Sequence, residues 1–191
     1  VPDEVLALDL PVTGTLPEEL EGRWLRNGPN PLGPTDPATH HWFLGDGMVH
    51  GVRLCGGRAE WYRNRWVRGP RVAEALGEPH PAGTSFGDRD FGPNTSVGGF
   101  AGKTWAMVEA GTTPMTLTYE LDTIDYDDFE GTLPAGFTAH PKFDPTTGPA
   151  EELENTKFHS VSLRNEEENR DSLGRSVGMR FCSGPSQIQP H

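Results

Sequence analysis

The sequence predicts an all-β fold built from short antiparallel strands. Short runs rich in Trp, Tyr, Phe, Val and Thr recur at regular spacing, which is typical of strands. The chain also contains 24 Gly and 18 Pro in 191 residues, enough for many turns, whereas helical patterns are few. These observations by themselves fit a sandwich, a barrel or propeller blades.

The first strands are expected around an Asp-Gly turn. Residues 41–44 and 48–54 flank Gly45-Asp-Gly47, and Asp-Gly supplies the positive φ angles that a tight hairpin turn needs. Gly56-Gly57 then turns the chain into a third strand over residues 59–67. The three runs predict a three-stranded meander.

Further strands are expected after a loop rich in Pro and Gly over residues 69–86. The candidate strands are residues 95–99, 104–109 and 115–121, and the turn at 98–102 pairs the first two. Pro17 followed by two glutamates predicts a single helical turn through Leu20, because Pro and acidic residues suit a helix N-terminus. A second short helix is expected at 150–155.

Aromatic content divides the chain into two parts. All 5 Trp and all 3 Tyr lie before residue 149, and only Phe158 and Phe181 follow it. The sequence therefore predicts a β part over residues 1–148 and a divergent polar tail over residues 149–191. The tail has little to bury, so we expect it to be loosely ordered.

Charge narrows the range of partners. The 28 acidic and 16 basic residues give a formal net charge of −12, which repels nucleic acid and anionic membrane surfaces. No apolar run approaches the roughly 18 residues of a membrane span, and no signal-peptide pattern opens the chain. We expect a cytoplasmic protein.

Two residues could take part in metal chemistry. Pro141 restricts His140 to extended conformations, and such rigid placement suits a metal ligand. A lone histidine before a proline is more often structural, however. Glu109 ends the apolar run 104–108, where it could be a solvated strand end or a carboxylate that orients a histidine.

Six motifs occur in a fixed order along the chain. They are Leu25-Arg-Asn-Gly-Pro-Asn-Pro31, Phe43-Leu-Gly-Asp-Gly-Met-Val-His-Gly51, Tyr62-Arg-Asn-Arg-Trp-Val67, Asn94-Thr95, Glu109-Ala-Gly111 and Ala139-His-Pro-Lys-Phe-Asp144. This series resembles the N-terminal part of the carotenoid cleavage oxygenases, a family that also includes lignostilbene dioxygenases and a retinoid isomerase. The resemblance covers about the first 148 residues.

The resemblance implies about two blades of a seven-bladed β-propeller with ferrous iron (Fe2+) held by four histidines. His140 matches the first of these ligands. Glu109 matches a carboxylate behind a different ligand histidine, and Thr95 matches a position near the open coordination site. The implied reaction is cleavage of a conjugated carbon–carbon double bond by dioxygen, and it requires no further side-chain acid or base.

The implied substrate is an apolar polyene or a stilbene-like molecule. The sequence determines neither the position of the cleaved bond nor whether the parent protein cleaves or isomerises its substrate. Any peripheral contact with a membrane is expected of the full-length parent protein only.

Other conspicuous residues receive structural interpretations. We expect the segment from Arg26 to Pro31 to follow a tight path with side chains capping backbone groups. His50 is expected to be a packed strand histidine, and His40 and His41 are expected to face solvent. Packing between blades explains the remaining aromatic residues, Trp61, Tyr62 and Trp66.

The resemblance weakens after residue 148. Only His159 and His191 follow it, in contexts unlike the family's ligand motifs, and one histidine does not hold iron in a defined geometry. We therefore expect a truncated or misread gene product that is inactive alone. The alternatives are a non-catalytic propeller fragment that acts as an interaction module, or a site completed by a second polypeptide.

Overall fold

The computed structural model describes residues 1–41, 43–79, 81, 92–100, 102–109, 112–133 and 137–141. The predicted tail at 149–191, including the short helix at 150–155, lies outside these residues. The described part contains one helix, α1 (Pro70–Leu76), and eight strands. The strands are β1 (Leu6–Leu10), β2 (Gly22–Pro29), β3 (Gly47–Cys55), β4 (Arg58–Trp66), β5 (Ser96–Phe100), β6 (Lys103–Met107), β7 (Met115–Leu117) and β8 (Thr123–Tyr126).

The strands form two four-stranded antiparallel sheets. The first sheet has the order β1-β4-β3-β2, and the second has the order β5-β6-β7-β8. β1 comes first in the sequence but lies at the outer edge, where Leu6 pairs with Arg63 of β4. β2 of the first sheet lies next to β5 of the second. This is the arrangement of two neighbouring propeller blades.

The predicted hairpin between residues 41–44 and 48–54 is wrong. β3 pairs instead with β2 along its whole length, from Gly22 opposite Leu54 to Pro29 opposite Gly47. The segment Arg26–Pro31 therefore begins as a strand and not as a turn. The Gly and Pro residues are tolerated there because the strand is at the sheet edge.

The predicted meander is therefore correct for its second and third strands, and only its first strand is a different segment. The observed meander consists of β2, β3 and β4, and β1 adds to its outer side. The second hairpin is confirmed, since β5 and β6 pair from Ser96 opposite Met107 to Phe100 opposite Lys103. The segment after Pro17 forms a turn closed by a backbone hydrogen bond of 3.1 Å from Leu20 N–H to Pro17 O, but not the helical turn that the sequence predicts.

The main core lies between the two sheets, where β3 and β4 meet β6 and β7. Its buried members are Val49, Val67, Ala106, Met115, Leu117 and Leu121. Trp105 and Met107 alternate with Ala106 along β6, so they occupy the opposite face of the second sheet. There Trp105 stacks between Phe100 and Phe129, with ring centroids 4.9 and 4.7 Å away.

Four arginines of the first sheet hold the turn between β7 and β8. We call this group, which consists of Arg23, Arg53, Arg63, Arg65 and the turn residues Tyr119 and Asp122, the arginine clamp. The Arg23 guanidinium lies 4.0 Å from the centre of the Tyr119 ring, and Arg53 donates to the Tyr119 hydroxyl. Arg63 and Arg65 reach Asp122 Oδ1 at 2.7 and 3.4 Å. The clamp joins the two sheets along one side of the core.

The segment expected as a loop over residues 69–86 contains α1. Pro70 is at the start of the helix and Gly77 ends it with φ at 68°. Both are ordinary helix boundary signals. Arg71 forms an ion pair with the buried carboxylate of Asp46, which fixes the helix to the start of β3. With seven residues, α1 is too short to cross a bilayer, and no other helix occurs in the described ranges.

The structural interpretations of the aromatic and histidine residues are confirmed. Trp66 is buried and donates from its indole to Asn30 O at 2.7 Å, and Trp61 contacts Tyr119 edge-on. His50 Nδ1 lies 2.9 Å from the Tyr62 hydroxyl inside the first sheet. His40 and His41 are exposed.

Candidate functional site

Two of the three candidate site residues lie at one end of the second sheet. Thr95 directly precedes β5, and Glu109 follows the end of β6 by two residues. The two strands are antiparallel, and the Thr95 N–H donates to Met107 O at 3.1 Å. The start of β5 and the end of β6 therefore carry both residues to the same edge.

The segment that carries His140 crosses the same end of this sheet. The Ser96 hydroxyl donates to the carbonyl oxygen of Ala139, the residue before His140. The Phe137 N–H donates to Thr112 O, 3.5 Å away, in the connection between β6 and β7. The structure thus brings His140 to the edge that Thr95 and Glu109 occupy.

Asn94 orients the Thr95 side chain. The Asn94 amide nitrogen donates to Phe43 O at 3.1 Å and to Gly45 O at 2.8 Å, and the residue is buried. Both amide protons are used in these bonds, so Asn94 Oδ1 faces the other way as an acceptor. The Thr95 hydroxyl donates to it at 3.2 Å.

Asn27 joins this end of the second sheet to the first. Its amide nitrogen donates to Pro93 O and to Ser96 O, both at 3.0 Å. The expectation that side chains of the Arg26–Pro31 segment cap backbone groups is confirmed here. Sequence reasoning did not identify Asn27, Asn94 or Ser96 as partners of the site, because their roles depend on contacts between distant parts of the chain.

The candidate residues differ in exposure. His140 and Glu109 are exposed, and Thr95 is half-buried. No described histidine contacts Glu109, so its expected role as the support of a ligand histidine needs a residue outside the described part. His140 has an accessible imidazole on a backbone that is held in place, which suits one metal ligand.

The donors at this edge do not complete a metal site. Within the described ranges, no group of three or more His, Cys, Asp or Glu side chains could hold a metal ion. Non-haem iron with open positions is typically held by about three protein side chains. The described residues therefore fit one part of such a centre.

Comparison with known proteins places the chain among oxygenases. The sequence matches the RPE65 family, described as retinal pigment epithelial membrane protein, over residues 1–166. It is 59% identical over 167 residues to a carotenoid cleavage oxygenase of Mycobacterium tuberculosis, an alignment that covers 85% of this chain and 31% of that protein. The chain thus spans about a third of the length of the curated relatives it matches.

Solved structures agree with the sequence comparison. The lignostilbene dioxygenase of Pseudomonas brassicacearum superposes with a TM-score of 0.63 at 29% identity, over 76% of this chain and 33% of that chain. Cobalt-substituted Synechocystis ACO superposes with a TM-score of 0.59 at 30% identity, over 76% and 34%. Variants of the Synechocystis enzyme with a substituted threonine or glutamate are similar to the same extent.

These similarities decide the fold class and the family. The prediction of about two blades of a carotenoid-oxygenase propeller is confirmed for the described residues. The family match also continues to residue 166, beyond the residue at which the resemblance was expected to end. The chain belongs to the RPE65 and carotenoid oxygenase family.

Proposed function

We propose that this chain forms part of an oxygenase that uses Fe2+ and dioxygen to cleave a conjugated carbon–carbon double bond. The substrate class is an apolar polyene or a stilbene-like molecule, in keeping with relatives named for carotenoid and lignostilbene substrates. The observation that carries the proposal is that Thr95 precedes β5, Glu109 follows β6 and the backbone before His140 is bonded to Ser96, all at one end of the second sheet.

Bound iron would supply the binding and activation of dioxygen. In this proposal His140 offers a neutral imidazole nitrogen to the metal. Glu109 accepts the second N–H of another ligand imidazole, which fixes the tautomer of that ring and raises its basicity. Thr95 stands beside the open coordination position with its hydroxyl oriented by Asn94.

Two findings on relatives support these roles. One Synechocystis structure carries cobalt in substitution, so a metal belongs to that enzyme. In the Synechocystis variants, the substituted threonine and glutamate have the same separation in sequence as Thr95 and Glu109.

One imidazole is too few for a stable iron centre. We therefore infer that further ligands come from outside the described residues, and that the 191-residue chain alone does not turn over substrate. The second candidate function is a non-catalytic β-propeller module, favoured by the presence of a single candidate ligand in the described part.

Metal binding to the purified chain tests the role of His140. We expect weak Fe2+ binding in anaerobic equilibrium dialysis, and we expect His140→Ala to remove the part of it that this imidazole supplies. His40→Ala, which removes an exposed histidine from the loop after β2, is the matched control and leaves that part unchanged. Binding that His140→Ala does not alter favours the non-catalytic module.

A cleavage assay tests the inference about activity. The chain is incubated aerobically with Fe2+ and either a carotenoid or a stilbene, and cleavage products are separated by chromatography. We expect no His140-dependent product. Stoichiometric iron together with cleavage would show that this chain holds a complete site, and it would leave the family assignment intact.

A further inference from the structure

We propose that Ser96 is the residue that positions His140 for metal binding. This inference rests on the proposed function, in which His140 is a metal ligand. It concerns a residue of β5 that lies next to Thr95 but has a different task.

The position of the His140 ring depends on its backbone. The side chain is exposed, and within the described ranges no residue forms a hydrogen bond with the ring. The direction of the Cα–Cβ bond is therefore set by the peptide groups on either side of His140.

The peptide group before His140 is held at both ends. Its carbonyl oxygen, which belongs to Ala139, accepts the Ser96 hydroxyl, and its N–H donates to Thr138 Oγ1 at 3.2 Å. A peptide group is planar, so fixing its oxygen and its N–H fixes the whole unit. After it, Pro141 restricts His140 to extended conformations.

Of the two hydrogen bonds on this peptide group, only the one from Ser96 connects it to a sheet. Thr138 belongs to the same short segment and would move with it. Ser96 lies in β5 opposite Met107, and its carbonyl oxygen accepts the Asn27 amide of β2 at 3.0 Å. The connection runs from the first sheet through β5 to the backbone of His140.

Hydrogen exchange of the full chain, followed by NMR, tests this connection. We expect Ser96→Ala to raise the exchange rates of the Ala139 and His140 amides about fivefold, the effect of losing one hydrogen bond of ordinary strength. Ser96→Thr retains a hydroxyl and should stay within about twofold of the original chain on the same argument. Thr116→Val removes another side-chain hydrogen bond of the second sheet, to Asp125 O, and should leave Ala139 and His140 unchanged.

Equal exchange at Ala139 and His140 in the original chain and in Ser96→Ala would overturn the proposal. If Ser96→Ala fails to fold, the original chain still gives an answer. The Ser96 hydroxyl proton should then be protected from exchange with water, and exchange as fast as that of a solvated serine overturns the proposal.

Paramagnetic broadening by substoichiometric Cu2+ separates this proposal from the role of His140. We define the His140-dependent broadening as the part that His140→Ala removes. It should be measurable at the residue 96 amide in the original chain and in Ser96→Thr. In Ser96→Ala it should weaken at residue 96 relative to Ala139, since one hydrogen bond no longer holds the segment to β5.

The two possible failures give different results. A change in amide exchange without any His140-dependent broadening supports the connection through Ser96 but contradicts the ligand role of His140. His140-dependent broadening that is the same in Ser96→Ala contradicts the positioning role alone.

Discussion

At the scale of single residues, His50 shows how a strand histidine is adapted to a sheet. Burial, followed by the positive charges of Arg26 and of the N-terminus, lowers the pKa of His50 below its ordinary value. Its Nδ1 lies 2.9 Å from the Tyr62 hydroxyl, and the neutral ring forms a hydrogen bond with that hydroxyl. The folded protein therefore favours the uncharged form of this side chain.

This lowered pKa predicts a loss of stability on mild acidification. Below about pH 6.5 the His50 ring takes up a proton in the unfolded chain before it does so in the folded one, so the free energy of unfolding falls as pH decreases through this window. His50→Gln should make this slope shallower in urea denaturation at several pH values. His40→Gln, at an exposed position, should leave it unchanged, and an identical slope in His50→Gln would show that another group is responsible.

Some of the candidate site residues could be predicted from the sequence alone. His140 could be found because a proline follows it, and Thr95 and Glu109 because they stand in ordered motifs. Ser96 could not be found in this way. A serine in a strand has no distinctive pattern, and its hydrogen bond to Ala139 exists only once β5 and the His140 segment are brought together.

At the scale of elements, the close approach of β3 to the segment before β5 depends on Gly47. A Cβ atom at this position would overlap the Pro93 carbonyl group and would lie 3.1 Å from Asn94 Cα. Neither contact can be relieved by rotation of a side chain, because both involve backbone atoms. Glycine at residue 47 therefore sets the distance between the first sheet and the start of β5.

Substitution of this glycine should be severe. Gly47→Ala is expected to lower the free energy of unfolding by about 3 kcal/mol, at the upper end of the cost of overpacking a folded interior. Gly28→Ala on the neighbouring strand is the control, because a Cβ there meets no atom within 4 Å, and it should cost less than about 1 kcal/mol. Similar midpoints for the two variants in chemical denaturation would contradict the packing argument.

Strand patterns predicted β3 to β7 within a few residues, but β1, β2, β8 and α1 were missed. β2 resembles a turn because its sequence contains Gly28 and Pro29, yet the paired strand β3 keeps it extended. β1 is short, and Asp9 within it has a positive φ of 49°, which local propensity does not indicate. For α1 the signals were present in Pro70 and Gly77, but the surrounding loop composition concealed them.

At the scale of the whole molecule, the arginine clamp connects the two sheets in addition to their shared core. That core is apolar, and hydrophobic burial is non-directional. The clamp adds directional contacts, since Tyr119 meets Arg23, Arg53 and Trp61 at once. The sequence predicted packing for Trp61 but did not indicate the clamp, because its members come from three separate strands and one turn.

The clamp predicts that the Tyr119 ring matters more than its hydroxyl. Tyr119→Ala should lower the free energy of unfolding by about 1–2 kcal/mol, because it removes the aromatic contact with Trp61 and the cation–π contact with Arg23. Tyr119→Phe keeps the ring and should cost less than about half as much, since the hydrogen bond from Arg53 is partly exposed. Thermal denaturation of both variants gives the comparison, and equal losses would assign the effect to the hydroxyl.

The edge position of β1 has a consequence for how the chain folds. Residues 6–10 are synthesised well before their partner β4, which ends only at Trp66. Until then, Leu6 and Leu8 have no strand to pair with, and even in the folded protein they stay 54% and 64% exposed. A contact between such distant residues forms late, since the loop between them must close first. Of the four strands in this sheet, β1 is synthesised before the other three and is expected to join the sheet last.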